Sequence, residues 1–286
     1  MTIRVRPITE VDLPAVADFL HRHLNRRIPP QVWEQSVRVP WKVDAPDHGR
    51  LLADGDEVVG AYLAFYSERV IDGRPERFCN LGAWCVLPAY RFHAARLLRS
   101  LLAQPGVHFT DLSPSGPVVP IGLRHGFQPL DTTTALVPHL PWPRRSRHEL
   151  VTSDAATIER TLSGDDLQIY RDHAGAQAAR HVLLARGDRC CYVMFRRDRR
   201  KGLPVFASIL YASDPQLWRQ MALPLGDHLL RHHRLVASLV QRRTVPSPPP
   251  PWSVRLRSPR PMLYRSAHLP PDRIDNLYSE LVCVPW

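Results

Sequence analysis

Lysine is almost missing from this chain: Lys42 and Lys201 are the only two among 38 lysines and arginines, so arginine carries the formal charge of +11 and the isoelectric point near 10.0. Arginine forks onto phosphates and carboxylates alike. Net charge alone does not choose between an anionic ligand and internal ion pairs. Cysteine is scarce too. Cys79, Cys85, Cys190, Cys191 and Cys283 are odd in number, form no C-x-x-C pair and mostly sit in apolar, strand-like runs. They read as reduced, buried thiols rather than a disulfide framework. No apolar run approaches the roughly 20 residues that span a bilayer. Met1-Thr2-Ile3-Arg4-Val5-Arg6 has no apolar core of signal-peptide length, so a cytoplasmic protein is expected. Walker, H-E-x-x-H and G-x-S-x-G motifs are absent, which removes the corresponding phosphate-loop, zinc-protease and serine-hydrolase signatures.

What is present is enough for two ordinary cores, with 286 residues of which 44% are hydrophobic. Ile3 to Ile8 alternates as a strand. Thr9 or Asp12 can cap a helix whose apolar positions are Leu13, Val16, Ala17, Leu20 and Leu24. Asp54-Gly55-Asp56 predicts a hairpin turn before Val58 to Phe65, and Asp72-Gly73 a second one before a strand over Phe78 to Val86. A helix over about 91–103, a strand over Val107 to Leu112, a helical Pro117 to His125 and an extended Phe127 to Val137 follow. The order implies a mixed sheet and an α/β (α+β) fold. Pro138 to Arg147, with Arg144-Arg145-Ser146-Arg147, reads as a linker between domains at 1–140 and 148–286.

The second half shows helical Asp154 to Ser163, a helical or mixed Gly175 to Leu184, and Cys190 to Arg197 paired with Leu203 to Ala212. A helix over Pro215 to His232, a strand over Leu235 to Gln241, a polyproline-like loop at Pro246 to Pro251 and a closing strand at Tyr278 to Val284 complete it. The run Arg196-Arg197-Asp198-Arg199-Arg200-Lys201 reads as a solvated turn, and a nucleic-acid partner is not expected. His228 and His232, four apart on a helix, lack the further ligands of a metal site. No metal is expected.

The densest signal is Val86-Leu87-Pro88-Ala89-Tyr90-Arg91-Phe92-His93-Ala94-Ala95-Arg96, where an apolar strand stops at proline and reopens as a basic helix. Amides at such a helix start, with the dipole and Arg91, suit a pyrophosphate. With the later Gly126-Phe127, this stretch resembles the V-x-P-x-x-R-x-x-G-x-G/A segment and G-F of the GCN5-related N-acetyltransferase superfamily. The resemblance covers residues 3–137; the second half is similar to a degenerate copy of the same fold on element order rather than motif, so two tandem domains of that kind are expected.

It further implies that acetyl-CoA or another acyl-CoA is a co-substrate. The backbone of Trp84, Cys85 and Val86 would pair with pantetheine, and the amides of Arg91, Phe92, His93, Ala94, Ala95 and Arg96 would hold the pyrophosphate. Arg96 stands where the family prefers a small residue, and Gly122 where it often has the Tyr that protonates the leaving thiolate. Attack of an amine on a thioester needs a base and stabilisation of the oxyanion and thiolate. Glu68 and Asp111 are the acidic candidates, His93 and His125 are the histidine candidates for acid–base work near neutral pH, and Ser113 and Ser115 lie where they can bond pantetheine or the thiolate.

In the second half, Asp214 with Pro215 behind it occupies the equivalent helix start and would repel a pyrophosphate. The reading is an acyl-CoA-dependent N-acyltransferase acting on an amine acceptor by direct attack. The alternative is a non-catalytic acyl-CoA-binding or scaffold protein whose basic surface docks an acidic partner. Acceptor and oligomeric state are left open.

Overall fold

Ile3 and Val5 alternate with arginines to form β1 (Ile3–Pro7), which pairs antiparallel with β2 (Gly49–Asp54). The computed structural model describes residues 3–142, 148–200 and 202–286. Between these strands Asp12 locks the start of α1 (Leu13–His23): its carboxylate accepts the Thr9 amide at 2.9 Å, the Thr9 hydroxyl at 2.7 Å and Arg6 at 2.6 and 2.7 Å. These hydrogen bonds, Arg6's foremost, hold the Asp12 carboxyl well below its ordinary range. Leu13, Val16, Ala17 and Leu20 are buried as their spacing predicts. A second helix, α2 (Pro30–Val37), follows.

The two glycine turns join β2 to β3 (Glu57–Ile71) and β3 to β4 (Arg74–Val86), with Gly55 at φ 61° and Gly73 at φ 78°. After β4 come a 3-10 turn over Pro88–His93, α3 (Ala94–Leu102), β5 (Val107–Asp111), α4 (Val118–Arg124) and the short β6 (Gln128–Pro129). Leu97, Leu98 and Leu101 on one face of α3 pack into a core with Leu52, Tyr62, Leu81 and Phe109.

The chain then builds β7 (Thr134–Pro138), β8 (Glu149–Thr152), α5 (Ala155–Thr161), α6 (Gly164–His173), β9 (Ala179–Arg186), β10 (Arg189–Arg200) and β11 (Leu203–Ala212). Next are α7 (Pro215–Gln220), α8 (Ala222–His233), β12 (Ala237–Gln241) and β13 (Val254–Arg255), and finally β14 (Leu263–Arg265) and α9 (Glu280–Cys283). Among the described residues these strands form two seven-stranded mixed sheets, ordered β1-β2-β3-β4-β5-β14-β6 and β13-β7-β12-β11-β10-β9-β8. The first is parallel at β4/β5 and the second at β11/β12, so the α/β class expected from the sequence is what the chain adopts.

Several elements differ from expectation. Gly175 to Leu184 contributes a strand, β9, and the helix lies earlier as α6. The long helix after Pro215 breaks at Met221, and the terminal strand expected at Tyr278 to Val284 is instead α9, with Ser279 capping the Leu281 amide at 3.3 Å. The two compact units are also not continuous halves. One comprises residues 1–130, 261–274 and 278–284, the other 131–260, 275–277 and 285–286. The physical reason is β14, which pairs with β5 and β6 (Leu263 opposite both Asp111 and Pro129) and so carries the distal chain back into the first sheet. Residues 143–147 of the expected linker lie outside the described residues.

The arginine run is not a solvated turn. It extends β10, and Asp198, 4% exposed, binds Arg260 at 2.7 Å and the Ser208 hydroxyl at 2.9 Å. Burial would raise the Asp198 carboxyl, but Arg260 and Arg196 outweigh it and hold it low. Charge that looked available to a partner is engaged inside this unit; Lys201 lies outside the described residues.

Candidate functional site

The parallel ladder between β4 and β5 is short, running from Arg77 opposite Val107 to Asn80 opposite Thr110. β4 continues for six more residues, Leu81 to Val86, paired on its other side with β3. Within that stretch the β3 pairing slips between Ala61 and Leu63, and Ala83 takes a φ of 55°. An extra residue in a strand with left-handed backbone at a non-glycine is a β-bulge that re-aims its amide and side chain. Such strain persists where the surroundings enforce it, often at functional sites. β5 ends at Asp111, one residue past the ladder, so the far half of β4, with its kink, has no β5 partner.

Trp84, next to the bulge, stacks on Tyr62 with ring centroids 4.6 Å apart and planes 5° apart. Its indole Nε1 is buried without a hydrogen-bond partner among the described residues. A buried donor without an acceptor is costly and fits an acceptor supplied by a bound molecule. Cys85 is half-buried, and burial pushes its thiol up to about 11, so it stays protonated and is not a nucleophile at neutral pH.

Past Pro88 the backbone makes a 3-10 turn before α3 begins at Ala94. The Tyr90 amide donates to Leu87 O at 2.9 Å and the Ala94 amide to Arg91 O. The helix expected to open at Arg91 therefore opens three residues later, and part of the expected amide cradle is engaged internally. Arg91 is exposed, Phe92 is 98% exposed, and Ala95 is half-buried on the first turn of α3. Arg96 lies 3.3 Å from His93 Nδ1 rather than across the corner.

Asp111, the last residue of β5, is 7% exposed. Its carboxylate accepts the Ser113 amide and the Tyr62 hydroxyl, yet burial first and the nearby Glu280 second push its carboxyl well above the ordinary range. Glu280, the first residue of α9, is fully buried. Its amide donates to Asn80 Oδ1 at 2.7 Å, and its Oε1 accepts the Ser113 hydroxyl at 2.9 Å. Gly82 leaves room here, because a Cβ on it would lie 3.0 Å from Glu280 Cβ, a tight contact.

The structure thus brings together Asp111 and Ser113, with Tyr62, Asn80 and Glu280, which sequence reasoning missed. Glu280 was invisible because it lies 169 positions beyond Asp111 and its segment reads as a strand. Glu68 is elsewhere: it is exposed and pairs with Arg77 toward the 72–73 turn. Ser113's hydroxyl is committed to Glu280, and Ser115 is exposed, its carbonyl accepting the Val118 amide at 2.9 Å where α4 starts. His125 caps α4 through Nδ1 and Ile121 O at 2.9 Å. Gly122 has a packing reason, since a Cβ there would approach Leu263 Cδ1 to 2.8 Å. Gly122→Ala is expected to lower stability by about 1–3 kcal/mol, and Leu263→Ala in the same chain should return part of the Gly122→Ala cost. Urea unfolding of the singles and the double checks this; simple additivity would show that the two residues do not compete for space.

No family model matches the chain, and no curated protein does. Solved structures do. A GCN5-related N-acetyltransferase from Anabaena variabilis is similar over 92% of this chain and 72% of its own, at 10% identity and a TM-score of 0.56. One from Kribbella flavida is similar over the same shares at 15% identity and 0.53. The Saccharomyces cerevisiae N-myristoyltransferase with bound myristoyl-CoA aligns over 99% of this chain and 85% of its own, at 10% identity and 0.51. The chain has the fold of the GCN5-related N-acetyltransferases. Within it, this chain combines two mixed seven-stranded sheets with a bulged β4 whose ladder to β5 stops at Asn80.

Proposed function

We propose that this protein is an acyl-CoA-dependent N-acyltransferase that passes an acyl group to an amine by direct attack. The observation that carries the reading is the end of the β4/β5 ladder at Asn80 while β4 runs on to Val86, with the bulge at Ala83 and the orphaned Trp84 Nε1 in that stretch, which has no β5 partner. An extended chain bearing amides, such as pantetheine, can lie along the backbone of Trp84, Cys85 and Val86 as a strand would. Arg91 and Arg96 supply positive charge beyond Pro88 for the pyrophosphate. The exposed Phe92 offers a surface to the adenine.

Asp111 is the proton acceptor in this reading. Burial first and Glu280 second raise its proton affinity above that of an ordinary carboxylate, the direction a general base needs. Tyr62, whose own hydroxyl is pushed up by burial and then by Asp111, holds that carboxylate in place. The bulged backbone at Ala83 is the candidate oxyanion contact. The second unit is read as a degenerate domain of the same kind: Asp214 Oδ1 accepts the Gln216 and Leu217 amides at 3.0 and 2.9 Å, while Arg189 holds its other oxygen at 2.5 Å. That helix start is already filled by a carboxylate. No helix among the described residues is long and apolar enough to cross a membrane.

Melting-temperature shifts across a series of CoA thioesters, followed by thiol release on adding amines, test the proposal. Saturable stabilisation with amine-dependent thiol release supports it. Binding without turnover over a broad amine panel favours the non-catalytic reading, for which Gly122 at the family's Tyr position speaks. Arg91→Ala should weaken acyl-CoA binding by about 1–3 kcal/mol if a charge-assisted phosphate contact is lost. Unchanged affinity in a titration removes Arg91 from the site.

A further inference from the structure

We propose that Glu76, His108 and His268 form a binding site for a divalent cation of the zinc type, separate from the acyl-CoA cleft. The three residues come from β4, β5 and the segment after β14. The two oxygens of Glu76 divide between them: Oε2 lies 2.9 Å from His108 Nε2, and Oε1 lies 2.9 Å from His268 Nε2. The imidazoles meet edge to face, with centroids 4.8 Å apart and planes at 76°. One ligand atom from each residue falls within 4.8 Å of the others. Zinc bonds of ~2.0–2.1 Å to nitrogen and oxygen, set tetrahedrally, need ligand atoms about 3.3 Å apart, so small side-chain rotations admit the ion.

The chemistry of the set also fits. Two imidazoles and one carboxylate are the donors that borderline divalent ions favour over calcium or magnesium. The side chains of His108 and Glu76 are 4% and 12% exposed, whereas that of His268 is 56% exposed. The site is therefore walled on the protein side and open on the other, leaving a fourth position for water. Ser266 is the outer partner. Its Oγ lies 2.9 Å from His108 Nδ1 and accepts the His268 and Leu269 amides at 3.2 and 2.7 Å, so one hydroxyl orients the first imidazole and the loop bearing the second. An ion there would clamp the returning segment 261–274 onto β4 and β5, closing a loop of 192 residues between Glu76 and His268.

The test uses the full chain, stripped with a chelator and titrated with Zn²⁺ by calorimetry. His228→Ala serves as a control for binding by the other histidines, since the His228 and His232 rings also lie 4.6 Å apart on α8. The expected result is one tight equivalent that raises the melting temperature and persists in His228→Ala. Glu76→Gln and the exposed His268→Ala, each verified as folded by circular dichroism, should lose at least tenfold in affinity and the thermal shift. Ser266→Ala should weaken binding roughly tenfold. If the wild type takes up no zinc at micromolar concentrations, or if Glu76→Gln and His268→Ala bind it as the wild type does, the site does not exist and the carboxylate simply bridges two imidazoles.

Discussion

Replacing Asp111 by Asn is expected to lower amine-dependent thiol release by about 10²–10⁴-fold, the usual contribution of a positioned general base, while leaving acyl-CoA binding nearly unchanged. Asn keeps the shape and an oxygen for the Ser113 amide and Tyr62 hydroxyl, so the loss isolates proton transfer. A second readout is independent of turnover. Because burial and Glu280 raise the Asp111 carboxyl in the native state, the folded protein keeps a proton that the unfolded chain releases above about pH 4. The favourable state is fully present below that unfolded value and is lost as pH climbs toward the folded one. Asp111→Asn should flatten that fall in stability with rising pH. Turnover that survives the substitution would remove Asp111 from the chemistry; a pH dependence of stability that survives it would show that the carboxyl titrates normally.

Gly49→Ala is expected to cost about 4 kcal/mol or more, placing it among the exceptional single substitutions. Gly49 has a φ of 123°, outside what an L-residue with a side chain adopts comfortably. An added Cβ would lie only 2.2 Å from the Tyr62 carbonyl oxygen and 2.9 Å from the Ala64 amide nitrogen, both backbone atoms that cannot swing away. Relief requires separating β2 from β3 where Gly49 faces Leu63, and β3 carries the Tyr62 ring that supports Trp84. Denaturant unfolding should therefore show a large loss of stability accompanied by weaker acyl-CoA binding. A change under about 1 kcal/mol would mean that the two strands separate easily, and would undercut the view that β3 rigidly positions the site.

The local elements were legible where local chemistry decides them. Gly55 and Gly73 supply the positive φ that hairpin turns need, Leu13 to Leu20 have helical spacing, and Asp214 followed by proline caps a helix wherever it is placed. The Pro88 corner was equally visible, because proline ends a strand regardless of fold. The shape of its continuation was not. Both a 3-10 turn and an α-helix can continue from such a corner, and here Pro88–His93 takes the former while α3 from Ala94 carries Leu97, Leu98 and Leu101 into the core.

Of the candidate site, Trp84, Asp111 and Ser113 were readable as residues, but their company was not. Glu68 looked equivalent to Asp111 from sequence, since both are acids at strand ends. Register separates them, leaving one exposed opposite Arg77 and the other buried against Tyr62. The arginine run looked like free charge because the partners of Asp198, Ser208 and Arg260, are 10 and 62 residues away.

By itself, the sequence determined the mixed α/β class, the turns, the amphipathic helices and the proline corner, all set by interactions within a few residues. Only the tertiary structure decided that the distal chain returns to complete the first sheet, that Glu280 stands beside Asp111, and that Glu76, His108 and His268 converge. Strand pairing and burial join residues by distance in space, and no pattern confined to neighbouring positions encodes which remote partner will fill a given gap.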